Sequence, residues 1–247
     1  MNVKLTIEYI GTSFSGWQKQ KKFNTVQAEI ESAIMKITGE KAILIASGRT
    51  DAGVHAFAQV ANFHTSTNIP AIQLKYALNS ILHDNIKILE SCEVEDSFHS
   101  RFGAKRKTYL YRIQTGDIRR SFERNRSFYV KGDLNFEKMQ EEASYIIGEH
   151  DFSAFKSEGS TAKNFIRTIY SLELRQNRDI IEMEISGNGF LYNMVRLIAG
   201  TLVEIGKDRE YSMKEILDSK SRTFAGPTAP AMGLFLKNVA YAIDNKA

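Results

Sequence analysis

Residues 3–9, Val-Lys-Leu-Thr-Ile-Glu-Tyr, decide how the chain is to be read. Val3, Leu5, Ile7 and Tyr9 fall on one side and Lys4, Thr6 and Glu8 on the other, the period-two pattern of a strand with one buried face. After a loop rich in Gly and Ser, Val26, Ile30, Ala33, Ile34 and Ile37 recur at helical spacing, with Asn24 or Thr25 as the cap and Gly39 as the stop. Residues 41–47, an apolar run of strand length, and residues 58–65 read as two further strands. Pro70 opens a second helix whose face is Leu74, Ala77, Leu78, Ile81 and Leu82, and residues 86–94 close this half as a strand. The order is β-α-β-β-α-β.

The second half repeats that order without repeating the sequence. Residues 107–115 form a strand, and Phe136, Met139, Ala143, Ile146 and Ile147 mark a helix after Asn135. Strands at 166–175 and 179–186 are joined by a polar turn. A long helix runs from about Phe190 to Ile205, a short one covers 213–218, and residues 234–243 are the last strand. This predicts an α+β protein of two ferredoxin-like halves, 1–104 and 105–247, with their sheets side by side and a central cleft. The seam falls near Phe102 to Lys107, and no low-complexity linker separates the halves.

Composition narrows the function. The chain has 247 residues, 43% hydrophobic and 25% charged, with a net charge of +4, which argues against disorder. A single cysteine, Cys92, excludes a disulfide framework and a Cys-based zinc site. No window of membrane-spanning length is apolar throughout, and the opening residues lack the apolar stretch of a signal peptide, so a cytoplasmic protein is expected. Charge is unevenly spread. Lys19, Lys21 and Lys22 form one cluster, and Lys105, Arg106 and Lys107 another. Residues 119–131 hold Arg119, Arg120, Arg124, Arg126 and Lys131 against one acid, Glu123, interleaved with Phe122, Phe128 and Tyr129. Solvated loops would explain any one cluster; three together suit a surface that follows a phosphate backbone, with rings that stack on bases.

The most unusual stretch is Ser47-Gly48-Arg49-Thr50-Asp51-Ala52-Gly53-Val54-His55-Ala56. Two glycines allow a sharp turn or a close backbone approach around an Arg-x-Asp pair. A carboxylate at Asp51 with Arg49 nearby can stay ionised in a dry site, which suits a nucleophile or a charge-positioning group. A plain β-turn closed by Asp51 is the competing reading. The five histidines are scattered without an acidic cluster, so no metal site is expected. Asp51, His55 and Ser47 could be drawn as a triad, but no G-x-S-x-G elbow accompanies them. Gly187-Asn188-Gly189 lacks the third glycine of a dinucleotide-binding turn. In the long C-terminal helix, Arg196 sits in an apolar run and needs a carboxylate partner if buried, for which Asp51 is a candidate. Tyr109 and Tyr111 share a strand face next to Lys105-Arg106-Lys107, where a ring could pack in the core or stack on a base.

These motifs together resemble the bacterial tRNA pseudouridine synthase A (TruA) family almost from end to end. The resemblance rests on Tyr9-Ile10-Gly11, Phe14-Ser15-Gly16-Trp17-Gln18, Thr25-Val26-Gln27, the block 48–56, Arg106-Lys107-Thr108-Tyr109, His150-Asp151-Phe152, residues 187–206 and residues 225–236. It implies the pseudouridine synthase fold and a cofactor-free, metal-free isomerase acting on the 3′ side of the anticodon stem-loop of tRNA as a homodimer. It implies Asp51 as nucleophile, Tyr109 stacked on the target uracil, Arg196 paired with the aspartate and Arg49 holding the displaced nucleotide. Lys105, Arg106, Lys107, Arg119 and Arg120 are candidates for the RNA backbone.

The chemistry fits those residue types. Uracil must leave C1′ of its ribose, rotate and rejoin through C5, so the nucleotide must leave its stack and enter a pocket with an aromatic face. The carboxylate could attack C6 of the base, attack C1′, or assist proton removal from the sugar; action at the sugar is favoured. Three positions depart from the family's pattern: Phe235 in Gly233-Leu234-Phe235-Leu236 in place of tyrosine, Ser100 where a small apolar residue is usual, and Gly103 where a polar one is common. A non-catalytic RNA-binding protein with the same basic surface would bind tRNA without isomerising it, and a metal-dependent nuclease would need clustered carboxylates that the sequence does not show.

Overall fold

The alternation at the start of the chain is realised as β1 (Asn2–Tyr9), with Val3, Leu5, Ile7 and Tyr9 buried and Glu8 exposed. The computed structural model describes residues 1–157, 159, 162–210 and 212–241. Helix α1 (Val26–Thr38) begins where Thr25 Oγ1 accepts from Ala28 N and ends at Gly39, whose φ of 75° takes the left-handed conformation of a helix stop. The next strand, β2, is shorter than the expected 41–47 and covers Ile45–Ala46. The cause lies in the preceding residue. Leu44 N donates to Glu31 Oε1 (3.1 Å) and Leu44 O accepts from Gln27 Nε2 (3.3 Å), so α1 takes the backbone groups a ladder would need. Strand β3 (His55–His64), helix α2 (Ala71–Asn79) and β4 (Ile86–Val94) follow. β4, β1 and β3 lie in that order and β2 pairs with β3, every pairing antiparallel, which is the ferredoxin-like arrangement.

In the second part, β5 (Arg106–Gln114) is followed by β6 (Phe128–Tyr129), α3 (Phe136–Ala143), β7 (Gly148–Asp151), β8 (Ile166–Asn177) and β9 (Ile180–Gly187). The order β5-β9-β8-β7 is antiparallel, and the short β6 runs parallel to β5. The expected helix from Phe190 starts later, as α4 (Met194–Gly206), because Asn193 stands at its N-cap with φ 61°, outside helical geometry. Every residue of α4 except Arg196 is buried, Thr201 and Glu204 included, as expected of a largely apolar helix in the interior. Helix α5 (Met213–Ser219) and β10 (Leu234–Ala240) complete the elements; residues 242 and 243 of the expected last strand lie outside the described residues.

The chain divides into two compact units, Met1–Lys105 with the residues from Phe235 onward, and Arg106–Leu234. Within the first unit β10 pairs in parallel with β3, Phe235 opposite His55 and Leu236 opposite Ala56. Polar side chains fix the exit from that sheet. Asn2 Nδ2 donates to Glu95 O and Phe98 O (3.0 Å each), Asn62 Nδ2 donates to Asn2 Oδ1 (3.0 Å), and Ser100 N donates to Asn62 Oδ1 (2.9 Å).

Candidate active site

Residues 47–56 link β2 to β3 and are fastened on both sides. Ser47 N donates to Val60 O (2.8 Å), Ser47 Oγ donates to Gln59 Oε1 (2.6 Å), and Gln59 Nε2 donates to Gly48 O (3.0 Å). Trp17 N donates to Thr50 O (3.0 Å), and the Tyr9 hydroxyl lies 2.7 Å from Thr50 Oγ1. Burial pushes the Tyr9 phenol up to about 12, with hydrogen bonds to Thr50 and Gln59 acting against it, so this bond is between neutral groups at physiological pH.

Two glycines of the neighbouring loop make the contact possible. A Cβ on Gly11 would lie 1.8 Å from Val54 O, and one on Gly16, where φ is +87°, would lie 2.8 Å from Thr50 O. Side chains at those positions would push the two loops apart. Ser47, Thr50, Val54 and His55 are buried, Arg49 and Ala52 are exposed, and Asp51 is half-buried between them. The turn reading of Asp51 is also realised, since its carbonyl accepts from Val54 N (3.1 Å). The bond that closes the turn uses the backbone oxygen and not the carboxylate, so turn and site are compatible.

His55 leaves the loop with Nδ1 accepting from Gly11 N (3.3 Å) and its ring stacked on Phe235, centroids 4.6 Å apart at 17°. Phe57 lies parallel to Phe235 at 5.0 Å and 9°. The Ser47 hydroxyl is engaged by Gln59 and His55 Nδ1 by a backbone amide, which does not support the triad drawn from the sequence.

In the second unit, Arg196 projects from α4. Its Nε donates to Ala229 O (2.7 Å) and Nη1 to Asn193 Oδ1 (2.9 Å), which fixes the plane of the guanidinium. The chain that supplies Ala229 lies on the helix backbone: a Cβ on Gly200 would be 1.8 Å from Pro227 O, and Gly226 N donates to Thr201 Oγ1 (2.9 Å). On β5 the two tyrosines separate in role. Tyr111 is buried, donates to Pro230 O (2.8 Å), and has its phenol pKa raised by burial against the opposing charge of Arg196. Tyr109 is half-buried, with its ring edge-to-face on Phe190 at 5.1 Å and 88°. Sequence reasoning missed Thr50, Gln59 and the hydroxyl of Tyr9 as parts of the site; Tyr9 simply continues the apolar face of β1, and no pattern pairs it with Thr50.

The model of a tRNA pseudouridine synthase family matches residues 5–103 and 143–242. The chain is 52% identical to a tRNA pseudouridine synthase A of Acetivibrio thermocellus and 51% identical to one of Thermoanaerobacter sp. (strain X514), in each case over 97% of this chain and 99% of the relative. The chain belongs to the tRNA pseudouridine synthase A family. Among solved structures, a chain in a Cbf5-Nop10-Gar1 complex is similar over 95% of this chain and 48% of its own, at 12% identity and a TM-score of 0.41, too distant a likeness to add weight.

Two of the three departures from the family's pattern have structural accounts apart from the loop, and one touches it. Ser100 and Gly103 lie in the exit region: the Tyr241 hydroxyl donates to Ser100 O (2.9 Å), and a Cβ on Gly103 would meet His99 O at 3.0 Å and the Tyr241 ring at 3.4 Å. Phe235 stacks on His55 at the end of the aspartate loop.

Of the basic candidates of this family member, Arg49, Lys105, Arg106, Arg119 and Arg120 are exposed and Lys107 is half-buried. The Arg106 guanidinium lies 4.9 Å over the Tyr170 ring, and Arg120 Nη1 pairs with Asp179 Oδ1 at 3.0 Å. Among the described residues no group of three His, Cys, Asp or Glu side chains could hold a metal ion, and no helix is long and apolar enough to cross a membrane. A hollow of about 540 Å³ at the start of α3 is lined by Asp133, Glu137 and Asp208 with Lys207, an excess of carboxylates that suits no polyanion.

Proposed function

We propose that this chain isomerises uridine to pseudouridine on the 3′ side of the tRNA anticodon stem-loop, with Asp51 as the nucleophile. The observation that carries the reading is the loop 47–56: a half-buried carboxylate between buried anchors, in a chain that belongs to a tRNA pseudouridine synthase family. Anchoring Thr50, Val54 and His55 limits the positions Asp51 can take, and such preorganisation lowers the entropy lost in reaching the reacting geometry.

The remaining roles follow the chemistry. The N1–C1′ bond breaks, a C5–C1′ bond forms, the C5 proton is lost to solvent and N1 takes up a proton; the carboxylate acts at the sugar. Tyr109 offers a half-buried ring, braced by Phe190, on which an extruded uracil can stack. Arg196 is assigned as the cation that balances the Asp51 carboxylate in the reaction. Arg49, exposed beside Asp51, holds the displaced nucleotide, and Lys105, Arg106, Lys107, Arg119 and Arg120 follow the phosphates. The protein works in the cytoplasm as a homodimer.

The test is tritium release from tRNA labelled at C5 of uridine, with no added metal or cofactor. Asp51→Asn should abolish release while tRNA binding stays within about tenfold, since one carboxylate contributes little to a phosphate-dominated interface. Turnover near that of the unmodified protein in Asp51→Asn would refute the assignment. Sequencing of the product tRNA tests the position, and sedimentation tests the dimer.

A further inference from the structure

Residues 118–126 of the second unit combine exposed apolar surface with unneutralised positive charge. Phe122 is 90% exposed and Ile118 79%. Scattered exposed apolar residues are ordinary, but this loop is braced so that it presents the Phe122 ring. The buried Gln114 side chain holds the base of the loop, Nε2 donating to Ile118 O (2.8 Å) and Oε1 accepting from Arg120 N (3.0 Å). Residues Ser121–Glu123 form a single 3-10 turn. In that turn Glu123 points inward, its carboxylate 3.3 Å from Arg112 Nη1, while Phe122 points out. Glu123 O then accepts from Arg126 N (3.0 Å) and Ser127 N (3.1 Å), closing the loop.

The charges are sorted by the same arrangement. Arg112 takes up the acid of the loop, and Asp179 pairs with Arg120. Arg119 is held by Arg124 O (2.7 Å), and among the described residues no acid pairs with Arg119, Arg124 or Arg126. The result is a ring projecting from a cationic collar. The other two rings of the stretch are not so presented: Phe128 and Tyr129 are half-buried in β6, and the Tyr129 hydroxyl donates to Gly116 O (3.0 Å).

We propose that Phe122 is a nucleobase-stacking tip, an RNA-docking element apart from the residues assigned to the chemistry, with Arg119, Arg124 and Arg126 on the phosphates around it. It rests on the reading that the substrate is RNA. A polyanion with π faces matches both features of the loop, whereas a second copy of this chain would bring the same arginines together across a two-fold axis.

The experiment measures full-length tRNA binding to the whole protein. Phe122→Ala should weaken binding about tenfold, the scale of one lost base–ring stack, with circular dichroism unchanged because the side chain is exposed. Phe122→Trp should bind within about twofold of the unmodified protein, and tRNA should quench the fluorescence of the introduced indole. The chain's one native tryptophan, Trp17, is buried and supplies a constant background. Removing Arg124 and Arg126 together should reduce the salt dependence of binding by about the contribution of two phosphates.

Unchanged binding by Phe122→Ala with no quenching in Phe122→Trp would overturn the proposal. So would conversion of a dimer to monomers by Phe122→Ala with tRNA affinity per protomer unchanged, which would assign the loop to self-association. Because these readouts are binding measurements, they separate from the isomerase reading. A protein that releases no tritium yet shows the Phe122 effect keeps the docking element, and one that releases tritium with Phe122 silent loses it.

Discussion

The hydroxyls of Tyr9 and Thr50 lie 2.7 Å apart in the interior of the first unit, one residue before the aspartate that the proposed reaction needs. Tyr9 ends β1 and Thr50 sits in the loop before β3, so the bond ties the sheet to the loop across 41 residues of sequence. Trp17 N holds the carbonyl of the same threonine at 3.0 Å. Thr50 is thus fixed at both its side chain and its backbone, and Asp51 inherits its position from it.

Tyr9→Phe removes one partner and leaves the buried Thr50 hydroxyl unsatisfied, a loss of about 1–2 kcal/mol in stability. Urea denaturation should show this, and Thr50→Val in the same chain should recover part of it by removing the second polar group. If the bond positions Asp51, kcat for tRNA falls in Tyr9→Phe while KM is unchanged. A KM effect alone would contradict that role.

Alkaline stability should follow the same phenol. Its folded pKa is pushed up to about 12, against about 10 in an unfolded chain. The folded state therefore holds the proton over a window in which the unfolded state has lost it. The contribution is complete below about pH 10 and is lost as pH rises toward 12. Buried Tyr111 and half-buried Tyr241, both with phenols raised by desolvation, act with the same sign. Urea midpoints measured across this range should fall, and Tyr9→Phe should show a shallower fall than the unmodified protein.

Gly200→Ala tests the seat of Arg196. The added methyl would lie 1.8 Å from the carbonyl oxygen of Pro227, so one of the two backbone segments must shift. We expect a loss of about 3 kcal/mol, the upper part of the range for overpacked interiors, seen as a drop of roughly 6–12 °C in Tm. The shift separates α4 from the carbonyl of Ala229 that orients Arg196, so activity should fall further than stability explains.

Ser100→Ala is expected to stabilise the protein. Ser100 Oγ is buried and has no hydrogen-bond partner among the described residues, whereas the backbone bonds to Asn62 and from Tyr241 do not involve the side chain. Removing the unpaired hydroxyl should gain about 1 kcal/mol, or roughly 2–4 °C in Tm. A lower Tm would show that the hydroxyl is satisfied by a buried water.

Elements whose signals are local were legible. Helix α1 carries its cap, its periodicity and its glycine stop within residues 25–39, and β4 spans the residues its pattern marked. Elements that depend on a distant partner were not. β2 contracted to two residues because Glu31 and Gln27 take the backbone groups of Leu44, and the four-residue β7 forms by pairing with β8. The start of α4 moved because Asn193 adopts a left-handed conformation that no periodicity reveals.

The sequence by itself determined the α+β order, the unusual Arg-Thr-Asp loop and the family, because each is written in neighbouring residues or in motifs of fixed order. Tertiary structure alone decided that Thr50 rather than Arg49 is the anchored neighbour of Asp51, that Tyr111 is core while Tyr109 keeps an accessible ring, and that Phe122 projects while Phe128 and Tyr129 do not. Each of these depends on which distant segments come to lie against the side chain when the chain folds. Burial and hydrogen bonding are set by the whole set of neighbours, and the spacing of residues along the chain does not contain that set.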